Sequence, residues 1–512
     1  MRSLQLLSLV CVLHGPAAWW TRATAQGFNA RYDTITAGWE QVGFAIEENA
    51  QGELLVISAG PRVDSLYASS TVQIVRLAAD GTLLSADRNH VPTGAAYPGS
   101  GNTSDVLPDG RIAIGGSTLN ADTVARVAVY WFDQWGAALT YVEHTFPGDW
   151  IGNELKCTPD GGYIVVGGTY TGNGTLDVFL LKLDSAANVQ WVQTYGGSQW
   201  NDFAATVDLA PGGGYYMGGV VGLGNNSYEP WILRLDSMGG TIWSDTTGSP
   251  LNDRGRADLT ALADGRFVYG SGRPNGVFSN HWPQLVKVDS TGTILWDKIY
   301  DVPSYLSFLV SVKEITPGGD LIAAGESHIT NTVDGIMLRT TAQGDSIWMR
   351  HYVYYDSLMT DGTGRFYDVI PTSDGGFAAC GAAYGSASGN NPPGLTQDVW
   401  VVKVDSLGCI EPGCHLITGV QSHVTNLQGA LVAWPNPVAH GTTATVHVAL
   451  PEALATSTLR LAVSNAQGQL VLEQSAVQGN NVLDTSRLSA GLYHVHLANA
   501  TTWLAACKVV VE

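Results

Sequence analysis

The chain alternates short apolar runs with turns rich in glycine and aspartate. In the clearest stretch an Asp-Gly-Gly turn at 160–162 precedes an apolar, β-branched run at 163–166. A second run at 178–183 ends at Asp184, and Trp191 begins another run seven residues later. Runs of this length between turn residues predict β-strands, and no sustained 3.6-residue period predicts a helix.

This pattern repeats along most of the chain. Turn glycines, each followed by a strand-like run, recur at intervals of 51 to 58 residues: Gly52, Gly110, Gly161, Gly213, Gly265, Gly319 and Gly375. Each unit contains roughly four strand-length runs. A sheet of that size cannot bury both faces alone, so such units are stable when they pack radially around a channel. We therefore expect an all-β fold in which residues 26–410 form a seven-bladed β-propeller.

The last unit lacks an outer strand, because Cys409 follows Gly408 where a tryptophan-led strand is expected. The N-terminal segment 29–37 has the pattern of the missing strand, with Tyr32 aligned on Trp191. Pairing of this segment with the last unit would join the ends of the ring and remove two exposed sheet edges. We expect the propeller to be closed in this way.

The order of turn, apolar strand, aspartate and tryptophan resembles kelch-type propeller repeats. The segment 289–296 also resembles the repeats of quinoprotein-type propellers, and both resemblances imply a propeller. Quinoproteins typically have eight blades and hold their quinone with acidic, Arg and Cys residues. This chain has seven units and no vicinal Cys pair, so we expect no quinone and no other cofactor.

The repeat stops after Gly408, and residues 411–430 have the weak periodicity of a linker. Residues 431–512 then contain about seven short strand-like runs separated by turns, a pattern typical of a β-sandwich. We expect a small C-terminal β-sandwich after the propeller. An unrelated immunoglobulin-like binding module would have the same pattern.

Three motifs make this C-terminal module more specific. They are Pro435-Asn436-Pro437 at its start, a hairpin with Gly468, and a segment with Gly491 and Tyr493 before the last strand. In this order they resemble the type A C-terminal sorting domain of the type IX secretion system of the Bacteroidetes, although Trp434 stands where that family commonly has Tyr. The resemblance implies that the chain binds the type IX secretion machinery and crosses the outer membrane. It also implies that the domain is usually removed there, with the rest released or attached at the cell surface.

The N-terminus has the pattern of a secretory signal peptide. Arg2 precedes an apolar run at 4–13, and Ala23-Thr24-Ala25 supplies small residues before Gln26. We expect residues 1–25 to be removed between Ala25 and Gln26. A buried strand or a membrane anchor is the alternative, but the run is shorter than the ~20 residues that span a bilayer. We expect no transmembrane segment after signal removal.

The charge of the chain excludes some partners. With 25 Lys and Arg against 45 Asp and Glu, the net charge is −20. Such a chain has little basic surface to neutralise phosphates, so nucleic acid and anionic membrane are poor partners. We expect a monomer.

Five cysteines remain after signal removal, so at least one thiol is free. Cys409 and Cys414 lie in a short loop with turn residues that a disulfide could close. Two free thiols in a linker are the alternative. Cys157 and Cys380 lie within strand-like runs, which favours inert core thiols.

The sequence contains none of the serine hydrolase, zincin, P-loop or Cys-x-x-Cys signatures. Five of the seven units have an aspartate in the same turn, which favours a turn role over calcium binding. Four units have a tryptophan at the same place on the outer strand, which favours packing between blades over a sugar-stacking surface. We therefore assign no catalytic or metal-binding residue.

Aromatic residues that break the repeat are better candidates for a ligand surface, because aromatic and Arg side chains are enriched where proteins bind partners. Partial burial is the alternative explanation for each of these residues: Trp150, Tyr228, Trp231, Trp282, Tyr354 and Arg365. The favoured hypothesis is an exported scaffold that binds glycans or proteins and is not an enzyme. The alternatives are a polysaccharide hydrolase or lyase with a site at the channel mouth, and a rigid surface-display module.

Overall fold

The structure is a computed structural model. It describes residues 27–512 apart from 34–40, 62–69, 89–93, 100, 121–122, 171–173, 197–198, 225–226, 247–253, 275–279, 301–305, 316–318, 330–331, 355–362, 385–396, 417–422, 426, 428, 451–453, 455–457 and 501. The expected signal peptide and its cleavage point between Ala25 and Gln26 lie outside the described residues, as do residues 34–37 of the expected closing strand.

The prediction of an all-β fold is confirmed, since the described part of the chain contains one 3₁₀ turn, Cys414–Leu416, and otherwise strands. An N-terminal strand, β1 (Phe28–Tyr32), precedes seven consecutive antiparallel meanders. The first meander is β2 (Val42–Glu48), β3 (Leu54–Pro61), β4 (Ser70–Leu77) and β5 (Leu83–Arg88). The second is β6 (Ala95–Pro98) and β7 (Ser104–Val106), which share the edge of β8 (Ile112–Leu119), then β9 (Ala125–Phe132) and β10 (Ala138–His144).

The next five meanders follow the same plan. The third is β11 (Trp150–Cys157), β12 (Tyr163–Tyr170), β13 (Leu176–Leu183) and β14 (Val189–Tyr195). The fourth is β15 (Phe203–Leu209), β16 (Tyr215–Gly224), β17 (Ser227–Leu235) and β18 (Thr241–Thr246). The fifth is β19 (Arg254–Ala261), β20 (Phe267–Pro274), β21 (His281–Val288) and β22 (Ile294–Ile299). The sixth is β23 (Leu306–Ile315), β24 (Asp320–Ile329), β25 (Thr332–Thr340) and β26 (Ser346–Val353). The seventh is β27 (Thr363–Pro371), β28 (Phe377–Tyr384) and β29 (Asp398–Val404), with β1 as its fourth strand.

Hydrophobic clusters join each meander to the next in a circular order. Burial of apolar side chains between sheets is the main contribution that holds such units together. One pair of buried residues represents each junction: Ile74 and Ile114, Val129 and Val165, Val166 and Met217, Tyr216 and Phe267, Leu285 and Leu309, Met337 and Phe366, and Val401 and Val56. The last pair joins the seventh meander to the first.

Strand β1 pairs antiparallel with β29, with Phe28 opposite Lys403 and Tyr32 opposite Val399. In the third meander Trp191 lies opposite Lys182, the lysine that precedes the last residue of the third strand as Lys403 does in the seventh meander. Phe28 therefore occupies the position that corresponds to Trp191. The alignment of Tyr32 on Trp191 is therefore wrong by four residues. Tyr32 instead matches Tyr195, Tyr300 and Tyr352, because all four hydroxyls donate to a turn glycine carbonyl of the next meander at 2.6 to 2.9 Å.

The C-terminal residues form two further sheets around their own core. One sheet contains β30 (His423–Thr425), β37 (Thr502–Val511), β36 (Gly491–Ala498), β33 (Leu459–Asn465) and β34 (Leu470–Ala476) in that order. The other contains β31 (Leu431–Trp434), β32 (Thr443–Val448) and β35 (Gly479–Asp484). Side chains of both sheets share one hydrophobic cluster, which includes Val446, Leu483, Val463 and Val495.

The C-terminal sheet continues the sixth meander. Strand β30 pairs parallel with β26 on one side and with β37 on the other. Beside this junction Cys409 and Cys414 are joined by a disulfide. Both sulfurs lie in a cluster with Trp400 of the seventh meander and Trp503 of β37.

A chain of hydrogen bonds also crosses this junction. Trp503 Nε1 donates to His496 Nδ1 at 3.1 Å, and His496 Nε2 lies 3.0 Å from Ser464 Oγ. Ser464 Oγ in turn donates to Pro412 O at 3.2 Å. Residues 409–416 are therefore packed between the ring of meanders and the C-terminal sheets, and 411–416 belong to the region predicted as a linker.

Candidate functional site

The two ends of the meanders differ in their connections. At one end, called the turn end, tight turns join the first strand to the second and the third to the fourth. All seven repeat glycines lie there with φ between +75° and +97°, a conformation that glycine adopts without strain. At the other end, called the loop end, the connection from the second to the third strand varies in length. It consists of residues 225–226 in the fourth meander and of residues 385–397 in the seventh. Variable connections on a regular scaffold commonly carry function.

The recurrent aspartates have a turn role, as the sequence favoured. Each carboxylate accepts the backbone N–H groups two and four residues later in the turn between third and fourth strand: Asp133, Asp184, Asp236, Asp289 and Asp405. In the sixth meander the Thr341 hydroxyl accepts the same two bonds. A hydroxyl therefore replaces the carboxylate there without loss of the turn.

The recurrent tryptophans pack between meanders. Trp191 contacts Tyr215 at 6.1 Å between ring centroids, Trp243 contacts Phe267 at 6.3 Å, and Trp348 contacts Phe377 at 5.8 Å. In each pair the second ring belongs to the following meander. Packing is thus the main role of the series.

Five of the six predicted ligand-surface residues are at least partly exposed, and three of them, Tyr228, Trp282 and Arg365, lie beside connections at the loop end. Trp231 donates from Nε1 to Ser244 Oγ at 2.8 Å, and the Tyr228 ring lies 5.8 Å from that of Phe203. Trp282 lies near the start of β21, Tyr354 directly after β26, and Arg365 near the start of β27. These residues come from the fourth to the seventh meander.

The prediction for Trp150 is wrong. Its side chain is buried between Phe146 and Phe179, with ring centroids 4.5 and 4.9 Å away, and Nε1 donates to Pro147 O. An aromatic residue at the start of a first strand fills the space between neighbouring meanders here. Burial, the alternative explanation given for these residues, therefore accounts for Trp150.

Arg365 belongs to a polar cluster between the sixth and seventh meanders. Its Nε lies 3.1 Å from Glu326 Oε2, and its guanidinium lies 5.1 Å from the ring centre of Tyr384. The other oxygen of Glu326 lies 2.9 Å from His328 Nε2. We call Glu326, His328, Arg365 and Tyr384 the loop-end cluster.

The loop-end cluster combines one buried carboxylate with three groups that can face a ligand. Glu326 is 4% exposed, whereas the Arg365 side chain is 33% exposed. Burial and the neighbouring Tyr367 raise the pKa of Tyr384, so its phenol stays protonated and can donate. A guanidinium, an imidazole and a phenol together suit hydroxyl or carboxylate groups of a ligand.

A second polar cluster lines the channel. It consists of side chains from the first strands of the meanders, six carboxylates and two lysines: Glu47, Asp105, Glu154, Asp208, Asp258, Asp368, Lys156 and Lys313. Lys156 Nζ lies 3.5 Å from Glu154, and Lys313 Nζ lies 3.9 Å from Asp368. Asn102 donates to Glu154 Oε1 at 3.3 Å and accepts a bond from Lys313 Nζ.

The channel carboxylates also hold neighbouring first strands together. Asp105 accepts the Cys157 N–H at 2.7 Å, Asp208 accepts the Ala261 N–H at 2.8 Å, and Asp368 accepts the Ile46 N–H at 3.1 Å. The last bond joins the seventh meander to the first. These contacts favour a structural role for the channel cluster.

Desolvation inside the channel changes the protonation of several of these groups. Burial, reinforced by Asp105 and Asp368, raises the pKa of Glu47 to about 7. Burial also raises the pKa of Asp258 to about 7, and that of Glu154 well above its usual range. Part of the negative charge of the channel is therefore absent near neutral pH.

Within the described ranges, no group of three or more His, Cys, Asp or Glu residues is arranged to hold a metal ion. In the same residues no helix is both long enough and apolar enough to cross a membrane.

Comparison with known proteins identifies the C-terminal part of the chain. Residues 423–512 match the model of the secretion system C-terminal sorting domain. This confirms the expectation of a C-terminal sorting domain, and the match begins eight residues before the expected boundary at 431. No curated protein matches the chain.

Several solved structures are similar to the ring of meanders at low identity. A protein of unknown function from Dyadobacter fermentans matches at 10% identity and a TM-score of 0.43, with 75% of this chain and 98% of that chain covered. A PL25 ulvan lyase matches at 10% identity and a TM-score of 0.46, with 75% and 97% covered. The α-L-arabinanase of Penicillium chrysogenum matches at 12% identity and a TM-score of 0.39, with 75% and 98% covered. Likeness at this level carries no argument about activity.

The motif residues of the sorting domain have defined structural roles. Asn436, between Pro435 and Pro437, donates to Lys508 O and accepts the Val510 N–H. Gly468 closes the hairpin between β33 and β34, with φ of 75°. Tyr493, two residues after Gly491, donates to Ser489 O at 2.8 Å. A sorting domain of the type IX secretion system directs its chain across the outer membrane to the cell surface or the extracellular space, so the secretion machinery is a partner.

Proposed function

We propose that this chain is an exported seven-bladed β-propeller that binds glycans at its loop end and is delivered by a C-terminal sorting β-sandwich. The observation that carries the binding proposal is the contrast between the two ends of the meanders. Uniform turns occupy the turn end, whereas exposed aromatic residues and the loop-end cluster lie beside connections of variable length. Export places this end outside the cell, where glycans are abundant ligands.

Several contacts support glycans as the ligand class. Arg365 presents a partly exposed guanidinium over Tyr384 and forms an ion pair with the buried carboxylate of Glu326. Planar guanidinium groups bind vicinal hydroxyls and carboxylates through paired hydrogen bonds. Trp282 adds a partly exposed ring at the same end, and such rings stack on the apolar face of a sugar.

A glycan array followed by calorimetry on the full chain tests this proposal. We expect at least one glycan to bind, and Arg365→Gln to weaken its binding about tenfold or more, since charge-assisted hydrogen bonds each contribute ~1.5–3 kcal/mol. Leu84→Ala is the matched control, because Leu84 is 45% exposed and is the second residue of a fourth strand at the turn end. Binding that Arg365→Gln and Trp282→Ala both leave unchanged would contradict the loop-end site.

The loop-end cluster also favours a second candidate, a polysaccharide hydrolase or lyase. His328 and Tyr384 can transfer protons, and Arg365 can stabilise negative charge that develops on a substrate. The test is to incubate the chain with polysaccharides and to follow new reducing ends together with the ultraviolet absorbance of unsaturated sugars. Turnover that His328→Asn and Tyr384→Phe abolish would support the enzyme, whereas glycan binding without turnover would support the scaffold.

A further inference from the structure

A groove of about 850 Å³ lies at the turn end between the third and fourth meanders. Trp191 and Tyr215 supply aromatic surface, and Asp160, Gln190 and Met238 lie around it. Met238 is 60% exposed, so the groove is open to solvent. It lies at the opposite end of the meanders from the loop-end cluster and is a separate site.

The groove lies where the first turn of the fourth meander has glycine at three successive positions, 212 to 214. Gly212 and Gly213 each have no atom within 4 Å of the position that a Cβ would take. In the fifth meander Asp264 occupies the place equivalent to Gly212 and pairs with Arg266 at 3.3 Å. The groove is therefore a local departure from the repeat.

Trp191 also differs from two of its equivalents, Trp243 and Trp348, in hydrogen bonding. Trp243 Nε1 donates to Ser290 O at 3.0 Å, and Trp348 Nε1 donates to Ser406 O at 3.1 Å. Among the contacts of the described residues, Trp191 makes no such bond to Ser237, the matching serine. Its indole N–H is a donor that remains available at the groove.

The polar groups around the groove select the class of ligand. The Asp160 side chain is 53% exposed and pairs with Lys182 at 2.9 Å. Burial acts to raise the pKa of Asp160, but hydrogen bonds from Thr158, Lys182 and Gly162 outweigh it and lower the pKa to about 2. The carboxylate is a permanent acceptor whose charge Lys182 balances, which suits uncharged hydroxyl donors better than anions or cations.

We propose that this groove binds a neutral sugar unit of an oligosaccharide. The apolar face of the sugar packs on Trp191, because aromatic rings stack on C–H surfaces. The hydroxyl groups donate to Asp160 and exchange hydrogen bonds with the exposed Gln190 amide. The propeller thus has a second glycan contact at the end opposite to the loop-end cluster.

Calorimetric titration of the full chain with cellohexaose, xylohexaose and mannohexaose tests this proposal. Ser237→Trp places a large side chain in the groove, and Gln190→Ala removes one exposed polar group. The matched control is Ser290→Trp, since Ser290 is the exposed equivalent of Ser237 at the next junction. We expect one oligosaccharide to bind, Ser237→Trp to weaken it about tenfold or more, Gln190→Ala to weaken it less, and Ser290→Trp to leave it unchanged.

The same titrations separate this site from the loop end. If no oligosaccharide binds, or if binding is equal in Ser237→Trp and the unmodified chain, the groove is not a sugar site. Binding that Arg365→Gln abolishes and Ser237→Trp leaves intact would overturn the groove and support the loop end. Binding that Ser237→Trp weakens and Arg365→Gln leaves unchanged would establish the groove.

Discussion

Replacement of Tyr32 by Phe tests whether β1 closes the ring of meanders. The Tyr32 hydroxyl donates to Gly81 O at 2.6 Å, and the ring is 8% exposed in the cluster between the seventh and first meanders. Phe keeps that ring and removes only the hydroxyl. A hydrogen bond of this kind contributes about 1 kcal/mol net to stability. We therefore expect the closure to open roughly fivefold more often, the factor that corresponds to about 1 kcal/mol.

Hydrogen–deuterium exchange measures this opening, in peptides that cover β1 and β29. The control is Tyr195→Phe, because Tyr195 donates to Gly239 O at the same 2.6 Å but lies between the third and fourth meanders. The control should accelerate exchange in β14 and leave β1 unchanged. Unchanged exchange in β1 and β29 of Tyr32→Phe, or equal acceleration throughout the ring, would refute the reasoning.

Three further predictions concern the channel and the junction with the sorting domain. Burial raises the pKa of Asp258 from its ordinary 3.8 to about 7. The folded chain therefore keeps a proton that the unfolded chain loses, and the resulting contribution to the free energy of unfolding is full below about pH 4 and is lost as the pH rises towards 7. Asp258→Asn should therefore gain stability relative to the unmodified chain between pH 5 and 8, by at most ~4 kcal/mol, and urea unfolding that shows no pH-dependent difference would contradict it. Replacement of both Cys409 and Cys414 by Ser should destabilise their loop by ~2 kcal/mol, which faster proteolysis between 409 and 423 would reveal and unchanged proteolysis would contradict. Gly413→Ala should loosen the same junction, because its Cβ would lie 2.6 Å from Ser464 Oγ, whereas Gly429→Ala, also at positive φ but with no atom within 4 Å, should not; equal proteolysis of the two variants would argue against this contact.

Local chemistry explains what the sequence predicted well. A turn such as Asp184 with its two backbone bonds is complete within five residues, so spacing alone identifies it. The sorting-domain motifs are similarly local, as Gly468 in its hairpin shows. The recurrence of Trp191 and its equivalents could be found by aligning each sequence unit with the next.

Contacts between distant residues explain what was missed. Glu326 and Arg365 meet only because neighbouring meanders pack, and nothing in their sequence surroundings predicts the pair. Tyr32 was misaligned because the segment after β1 differs in length from its equivalents. The channel acids share a position, since Glu154, Asp258 and Asp368 each follow a register shift in a first strand, but that shift is visible only in the paired strands of the structure.

The shared sheet of β26, β30 and β37 has a mechanical consequence. Backbone hydrogen bonds run without interruption from the sixth meander into the sorting domain, and the indole of Trp503 is fully buried beside that of Trp400. Secretion machinery that binds the sorting domain therefore also fixes the orientation of the ring of meanders. Separation of the two parts would break the backbone pairs of β30 and leave the outer edge of β26 without its partner strand.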